Sequence, residues 1–420
     1  MIDRKKRRVV VTGLGIVAPT GIGKAAFWHA ISEGISGISI ITPEEGAIAE
    51  RIQVAGIVRN FLAEEHISHK TIHRTDRMTH FAFAAIQEAI ADAKLELTRE
   101  NPQRVGAVIA NTMGGVGYVL QQLQALYTRG PRFMSAFTAI AWLHVANIGQ
   151  AAIRYGIQGY SKTPVNDTVG GLDALGMAYT AIQRGSADVI IAGGCEAFLN
   201  PFILFILSQQ GQYVTGNDPN GYRPFDTRAA GLILAEGAGI CILEDYEHAR
   251  QRDATIYGEI VGYGQTNDAN GLVAPAADGT RYAKAIRLAM QEENIQPEQI
   301  AYMSADGRAI ASSDQGEFHA LNLALGEHLA SIPVSVPRTM IGHSYAAAGA
   351  IDTIIALLAL QTRKIPPTIN CDGHHFSFNL VREKAYLLPQ TKRQRAEVAL
   401  IGGRGVGGAN TVLAVATSED

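Results

Sequence analysis

Nucleophiles, acids and bases decide what a chain can catalyse, and this one is sparing with them. Residues 163–176 read Thr-Pro-Val-Asn-Asp-Thr-Val-Gly-Gly-Leu-Asp-Ala-Leu-Gly, a polar approach running into a glycine-rich helix. The nucleophile on offer at that turn is the hydroxyl of Thr168. A thiol there would have its pKa lowered by the helix N-terminus and would attack readily. A threonine hydroxyl stays protonated near neutral pH unless a base activates it, and its branched carbon hinders attack. The thiols lie elsewhere, at Cys195, Cys241 and Cys371, with neither metal-ligand spacing nor a paired framework. Cys195 follows an apolar run and reads as a small buried hydrophobe. His144 reads as an interface or core residue. The remaining histidines outside Gly342-His343, His80 and His248 among them, show no ligand pattern and read as surface or loop positions.

The elements that must position these groups alternate in type. Val9–Val17 reads as a buried strand with a glycine turn, 105–110 as a strand, 115–127 as a helix, and 187–193 and 240–244 as strands. A second set follows from about 255: a strand at 257–263, a helix near 280–292, a strand near Tyr302, and strands through 398–401 and 411–416. Two helices, 169–183 and 345–361, are rich in Ala, Gly, Leu and Ile with few charges, and a helix apolar all round is buried. Strands alternating with helices in two groups predict a layered α/β architecture with buried central helices. A length of 420 residues, 47% hydrophobic with 44 glycines, suits a large close-packed core. The net charge of −3 gives no nucleic-acid or membrane signal. Lys5-Lys6-Arg7-Arg8 reads as a solvated N-terminus. No apolar h-region follows Met1 and no run is long enough to span a bilayer, so a reducing cytoplasm is the expected location.

Long motifs in a fixed order resemble the β-ketoacyl synthases of the thiolase superfamily. They include Arg8–Gly21, Gly130-Pro131-Arg132, Asn147-Ile148-Gly149-Gln150, Arg223-Pro224-Phe225-Asp226, Glu236-Gly237-Ala238-Gly239, Ile365–Asn370 and Gly407-Gly408-Ala409-Asn410. The resemblance covers essentially the whole chain. It implies the five-layer α-β-α-β-α thiolase fold, built from two pseudo-repeated halves at residues 1–254 and 255–420.

It also implies that the catalytic set is altered. The family's cysteine nucleophile corresponds to Thr168. Its first histidine, in a His-Gly-Thr motif, corresponds to Asp306 in Ala305-Asp306-Gly307-Arg308. Its second histidine is kept as Gly342-His343, and the lysine five residues earlier is Arg338. Asp314 and Glu317 fall where the family has acidic residues. The phenylalanines of the family's gate are replaced by Arg404 and Val406. A carboxylate at 306 would repel the enolate that the histidines stabilise, so condensation is expected to be lost on two independent grounds.

The damage resembles that of the chain-length factors, the β subunits of type II polyketide ketosynthases. They lack the nucleophile, often with glutamine in its place, and pair with an intact catalytic subunit. Gly170–Gly176, Trp142–Gln150 and Arg404 within Gly-Arg-Gly-x-Gly-Gly are similar to their motifs. This implies a heterodimer with a cysteine-bearing ketosynthase and a polyketide tunnel for a chain on an acyl carrier protein. The phosphopantetheine arm is expected to enter the partner's site, and no cofactor or metal of the chain's own is implied. The tunnel-lining positions correspond to Val116, Val119 and Leu123 on one face of the helix after Gly114-Gly115, a moderately open set that predicts a medium-to-long product. The family interface is expected at the 187–193 strand and the 130–150 loops. Two other readings are an acyltransferase or thioesterase working through Thr168, His343 and Asp306, and a pure scaffold. The first would be opposed by Arg338, Arg308 and Arg404 neutralising Asp306 as a polar plug.

Overall fold

The computed structural model describes residues 6–47, 51–388 and 397–418. Ten strands build its main sheet surfaces: β1 (Val9–Ala18), β2 (Val105–Ala110), β3 (Ser161–Lys162), β4 (Val189–Glu196), β5 (Gly237–Asp245), β6 (Gly258–Asn267), β7 (Ile300–Ser304), β8 (Val334–Ser335), β9 (Val398–Arg404) and β10 (Ala409–Ala416). The first five run in the order β3-β2-β4-β5-β1 and the second five in the order β8-β7-β9-β10-β6. Parallel and antiparallel pairings fall in the same places in both sets. The sets meet where Val9–Val11 pair with Gly258–Ile260. The chain has thus drawn the same five-stranded sheet twice, in the thiolase fold.

Eight helices matter to the layers: α1 (Arg77–Asp92), α2 (Val116–Arg129), α3 (Ala146–Tyr155), α4 (Gly170–Gln183), α5 (Pro201–Ser208), α6 (Thr280–Gln291), α7 (Ala311–Leu325) and α8 (Ala346–Thr362). Helix α1 covers β1 and β5 from outside, and α6 covers β6 and β10. Helices α4 and α8 lie between the sheets and pack on each other. The central strands are therefore covered on both faces, which is why they read as continuous apolar runs rather than alternating ones. Helices α3, α5 and α7 are additional to those the sequence predicts.

Glycines set the layer spacing, and they do so twice. A Cβ at Gly13 or Gly15 of β1 would fall 2.2 Å from the Ala89 carbonyl oxygen or 1.9 Å from that of Ala85, both on α1. A Cβ at Gly262 or Gly264 of β6 would fall 1.9 Å from the Ala289 oxygen or 2.1 Å from that of Ala285, on α6. In the middle layer a Cβ at Gly171 would fall 2.4 Å from the Ala346 oxygen. That close approach brings the N-terminal ends of α4 and α8 together, and both site segments sit just before those ends.

Lys5 lies outside the described residues. The rest of the basic run is ion-paired rather than merely solvated: Lys6 with Glu292, Arg7 with Asp188 and Arg8 with Glu259. Among the described residues, no helix is long and apolar enough to cross a membrane.

Candidate functional site

Four segments converge on one buried place. Thr168 sits in the short turn Asp167–Val169 that opens α4. Asp306 and Arg308 occupy the loop between β7 and α7. Arg338 and His343 flank the turn that leads into α8, and Arg404 ends β9. Backbone at positive φ gathers here: Asp167 at 47°, Ala309 at 54° and Tyr345 at 46°. Non-glycine residues in this region are strained, and such strain persists only where the surroundings over-determine it. The sequence-predicted residues Thr168, Asp306, His343, Arg338 and Arg404 are all 2% exposed or less.

Their contacts form an ion network, not a catalytic relay. The Thr168 hydroxyl donates to the Arg404 carbonyl at 2.7 Å. The Asp306 carboxylate accepts from Arg338 at 3.1 Å and from Arg404 Nε at 3.2 Å. Arg404 also donates to Glu317 at 3.0 Å and Arg338 to Asp352 at 2.7 Å. Glu317 in turn accepts the amides of Asp306 and Gly307 at 2.8 and 2.9 Å. Burial alone would push the Asp306 carboxyl up, but Arg404, Arg308 and Arg338 outweigh it and hold it below its usual range. Burial wins at Glu317, which is raised, and at Asp352, which is raised to about 6.

His343 is shut out of acid–base work. Burial, then the Arg338 charge, holds its pKa well below the ordinary imidazole range, so it is neutral. Its Nε2 lies 3.1 Å from Arg338. Its Nδ1 faces a second donor, the Tyr345 amide at 3.2 Å, so whichever nitrogen carries the lone pair of the neutral ring already meets an N–H. The lone pair that a nucleophile's proton would need is occupied. Thr168 and His343 share no hydrogen bond, so the hydroxyl–imidazole–carboxylate relay is not assembled. Arg404, expected at the gate and in the polar plug around Asp306, is buried. Its guanidinium points inward to three oxygens, because Asp306 and Glu317 supply the counter-charge that a buried arginine requires. Val406 stands at the turn after it, half-buried, its amide donating to Asp167 at 2.8 Å.

Two members were missed or undervalued in the sequence. Asp352 is the one charge in the apolar helix α8, and that isolation was a legible signal of a buried ion pair. Glu196 follows Cys195 and accepts the Thr112 amide at 2.9 Å, with burial raising its pKa to about 8. Cys195 is buried as expected, accepting from Asn147 at 2.8 Å, and burial holds its thiol protonated. His144 bonds to Asn111 at 2.7 Å. His248, read as a loop residue, is clamped by Glu244 at 2.7 Å and Glu100 at 3.0 Å.

The helix read as tunnel wall begins where Gly114 and Gly115 press on the 141–142 backbone. A Cβ at Gly115 would fall 2.1 Å from the Ala141 oxygen, and Gly114 has φ 58°. Val116 packs half-buried on the neighbouring core beside Leu120, Val119 is half-buried, and Leu123 is exposed. Residues Phe133, Phe137, Ile140, Trp142 and Val145 form an exposed apolar surface next to it. The expected interface strand, β4, is not available. Both its edges are already hydrogen-bonded, to β2 and to β5, so it cannot accept another strand. The open edge on that side belongs to β3, whose Ser161 and Lys162 are exposed.

Comparison with known proteins places this geometry. The family description "Beta-ketoacyl synthase, N-terminal domain" matches residues 6–249, and "Beta-ketoacyl synthase, C-terminal domain" matches residues 257–372. The chain is 36% identical to the tetracenomycin polyketide synthase ketoacyl synthase beta subunit of Streptomyces glaucescens, over 97% of this chain and 98% of that one. It is 35% identical to 3-oxoacyl-[acyl-carrier-protein] synthase 2 of Synechocystis sp., over 99% of both. Among solved structures it is similar to a type II polyketide acyl-carrier protein in complex with its ketosynthase bound to the hexaketide (TM-score 0.88, 29% identity, 99% and 100% covered). It is also similar to the ishigamide ketosynthase/chain length factor (TM-score 0.89, 26% identity, 99% and 100% covered).

Proposed function

Because the chain belongs to the β-ketoacyl synthase family, we propose that it serves there as a non-condensing subunit, a chain-length factor paired with a cysteine-bearing ketosynthase in type II polyketide synthesis. The observation that carries this reading is the spent hydroxyl. The Thr168 hydroxyl donates its hydrogen bond to the Arg404 carbonyl, and Arg338 stands against the imidazole nitrogen His343 Nε2. A subunit so closed can load no acyl chain of its own. The relatives divide between a polyketide β subunit and fatty-acid-type synthases, and the loss of the thiol sides with the first.

In this reading the carrier protein's phosphopantetheine arm enters the partner's site. This chain contributes Val116, Val119 and Leu123 to the end of the tunnel. The exposed apolar residues 133–145 and the free edge of β3 supply the face for the partner.

Native mass spectrometry of the chain co-expressed with a cysteine-bearing ketosynthase, after incubation with malonyl-loaded carrier protein, tests this. A one-to-one heterodimer with the acyl adduct on the partner alone is the expected result. A homodimer with an adduct on Thr168 would overturn it.

A further inference from the structure

Away from the ion network, one buried carboxylate caps two helices. Asp76 is 3% exposed. Its Oδ1 accepts the Met78 amide at 2.8 Å, the ordinary N-cap of α1. Its Oδ2 accepts the Tyr118 amide at 2.7 Å, in the first turn of α2. Helix α2 has no cap of its own, because Gly115 before it carries no side chain that could accept. Its cap comes instead from a residue 42 positions earlier in the chain. Burial pushes the Asp76 carboxyl up to about 6, while the two amides pull it down, so it is charged at neutral pH. That charge faces the positive ends of both helices.

The glycines around the first turn of α2 leave room for this carboxylate. A Cβ at Gly115 would fall 3.0 Å from the Asp76 Cβ, and one at Gly117 would fall 3.2 Å from Oδ2. Beyond that turn α2 is loosely held, with Tyr118 its one buried residue. Among the described residues, its other side-chain hydrogen bonds to the rest of the chain are only part-buried. The Tyr118 hydroxyl donates to the His73 carbonyl at 3.3 Å, and Gln122 accepts the Ser135 amide at 2.8 Å. At 3.6 residues per turn, Tyr118 stands on the opposite face from Val116, Val119 and Leu123. Turning the helix by about 20° would carry a side-chain tip about 5 Å from its axis through roughly 2 Å. We propose that Asp76 is the positioning residue of α2: its carboxylate fixes the rotation and depth of the helix, and so the place of Val116, Val119 and Leu123. Product length then depends on a residue on the far side of the helix from the tunnel. This inference rests on the chain-length reading above, and its test separates the two.

The test compares the wild type, Asp76→Ser and Val119→Phe, each co-expressed with a cysteine-bearing ketosynthase. Serine still caps α1, but its hydroxyl is too short to reach the Tyr118 amide as well. Hydrogen–deuterium exchange is read over residues 116–122 and over α1, and the released products are sized by mass spectrometry. In Asp76→Ser, exchange in α2 should rise at least about fivefold, the scale of losing a helix cap, with α1 unchanged. The main product should fall at least about twofold as a share of the total, as shorter and longer chains appear beside it. A purely structural loss would lower the yield and leave that distribution as it was. Unchanged exchange in α2 would overturn the proposal. So would raised exchange with an unchanged distribution, where Val119→Phe shortens the product. If neither variant alters product length, the chain-length reading has failed and the inference falls with it. If Asp76→Ser does not fold, Gly117→Val puts the same question from the helix side, since its side chain would crowd the carboxylate without emptying a buried position. The same rise in exchange and the same broadened products are expected there, and wild-type behaviour in both would overturn the proposal.

Discussion

In the proposed non-condensing subunit, the residues around Thr168 close the site as well as the absent thiol does. Restoring the thiol should therefore fail to restore the reaction. In Thr168→Cys the new side chain would still face a neutral His343 capped by Arg338, and a carboxylate where an electrophilic histidine should stand. Condensation by Thr168→Cys should stay at least about 10²-fold below a cysteine-bearing synthase, the scale of losing one oxyanion donor. Single-turnover assays with acyl-loaded carrier protein check this. The same network makes Asp306 a structural keystone. Asp306→Ala leaves Arg338 and Arg404 short of a carboxylate, and breaking a buried pair costs about 3–5 kcal/mol. Equilibrium denaturation in urea would register it as a lower midpoint. The identities of these residues were legible in the sequence through the displaced motifs. Their pairing was not, because Asp306, Arg338, Asp352 and Arg404 are brought together from separate segments.

At the scale of elements, α2 separates two accounts of the chain. If its outer face walls the tunnel, Val119→Phe narrows it, and the partnered complex should release a shorter product. A scaffold would leave product length unchanged. Mass spectrometry of the extended products reads either outcome, with the heterodimer intact in both. The Gly114-Gly115 turn was readable as a motif, but its cause is the carbonyl of Ala141 standing where a side chain would go. The interface strand was misplaced for a related reason. An apolar run such as β4 looks the same whether it is central or at an edge, and only the pairing on both sides shows it to be interior.

For the molecule as a whole, two properties follow from how the parts are joined. His248 ties the end of β5 to the segment before β2 through Glu244 and Glu100, and hydrogen bonding to Glu244 raises its pKa to about 9. A raised histidine stabilises the fold fully below its unfolded value of 6.5, and the contribution is lost as pH climbs through about 9. The unfolding midpoint should therefore decline over that interval. In His248→Gln the decline should flatten, which a pH series of thermal melts would show. In the proposed assembly the exposed apolar face at 133–145 meets the partner. Replacing both Ile140 and Trp142 by Glu should abolish co-purification with the ketosynthase partner while the melting profile stays that of a folded chain. Retention of the partner would move the interface elsewhere.

The sequence by itself determined the family, the missing thiol, the altered histidine, and the two buried helices that form the middle layer. Each of these is written in local order, as a motif or as a run of apolar residues longer than a strand. The tertiary structure decided what the altered site had become. It alone set which guanidinium meets which carboxylate, that the hydroxyl of Thr168 is spent on a carbonyl 236 residues away, and that Arg308 donates to that same carbonyl. Charge pairing in a buried network depends on distances of a few ångströms between distant segments, and no spacing along the chain encodes them.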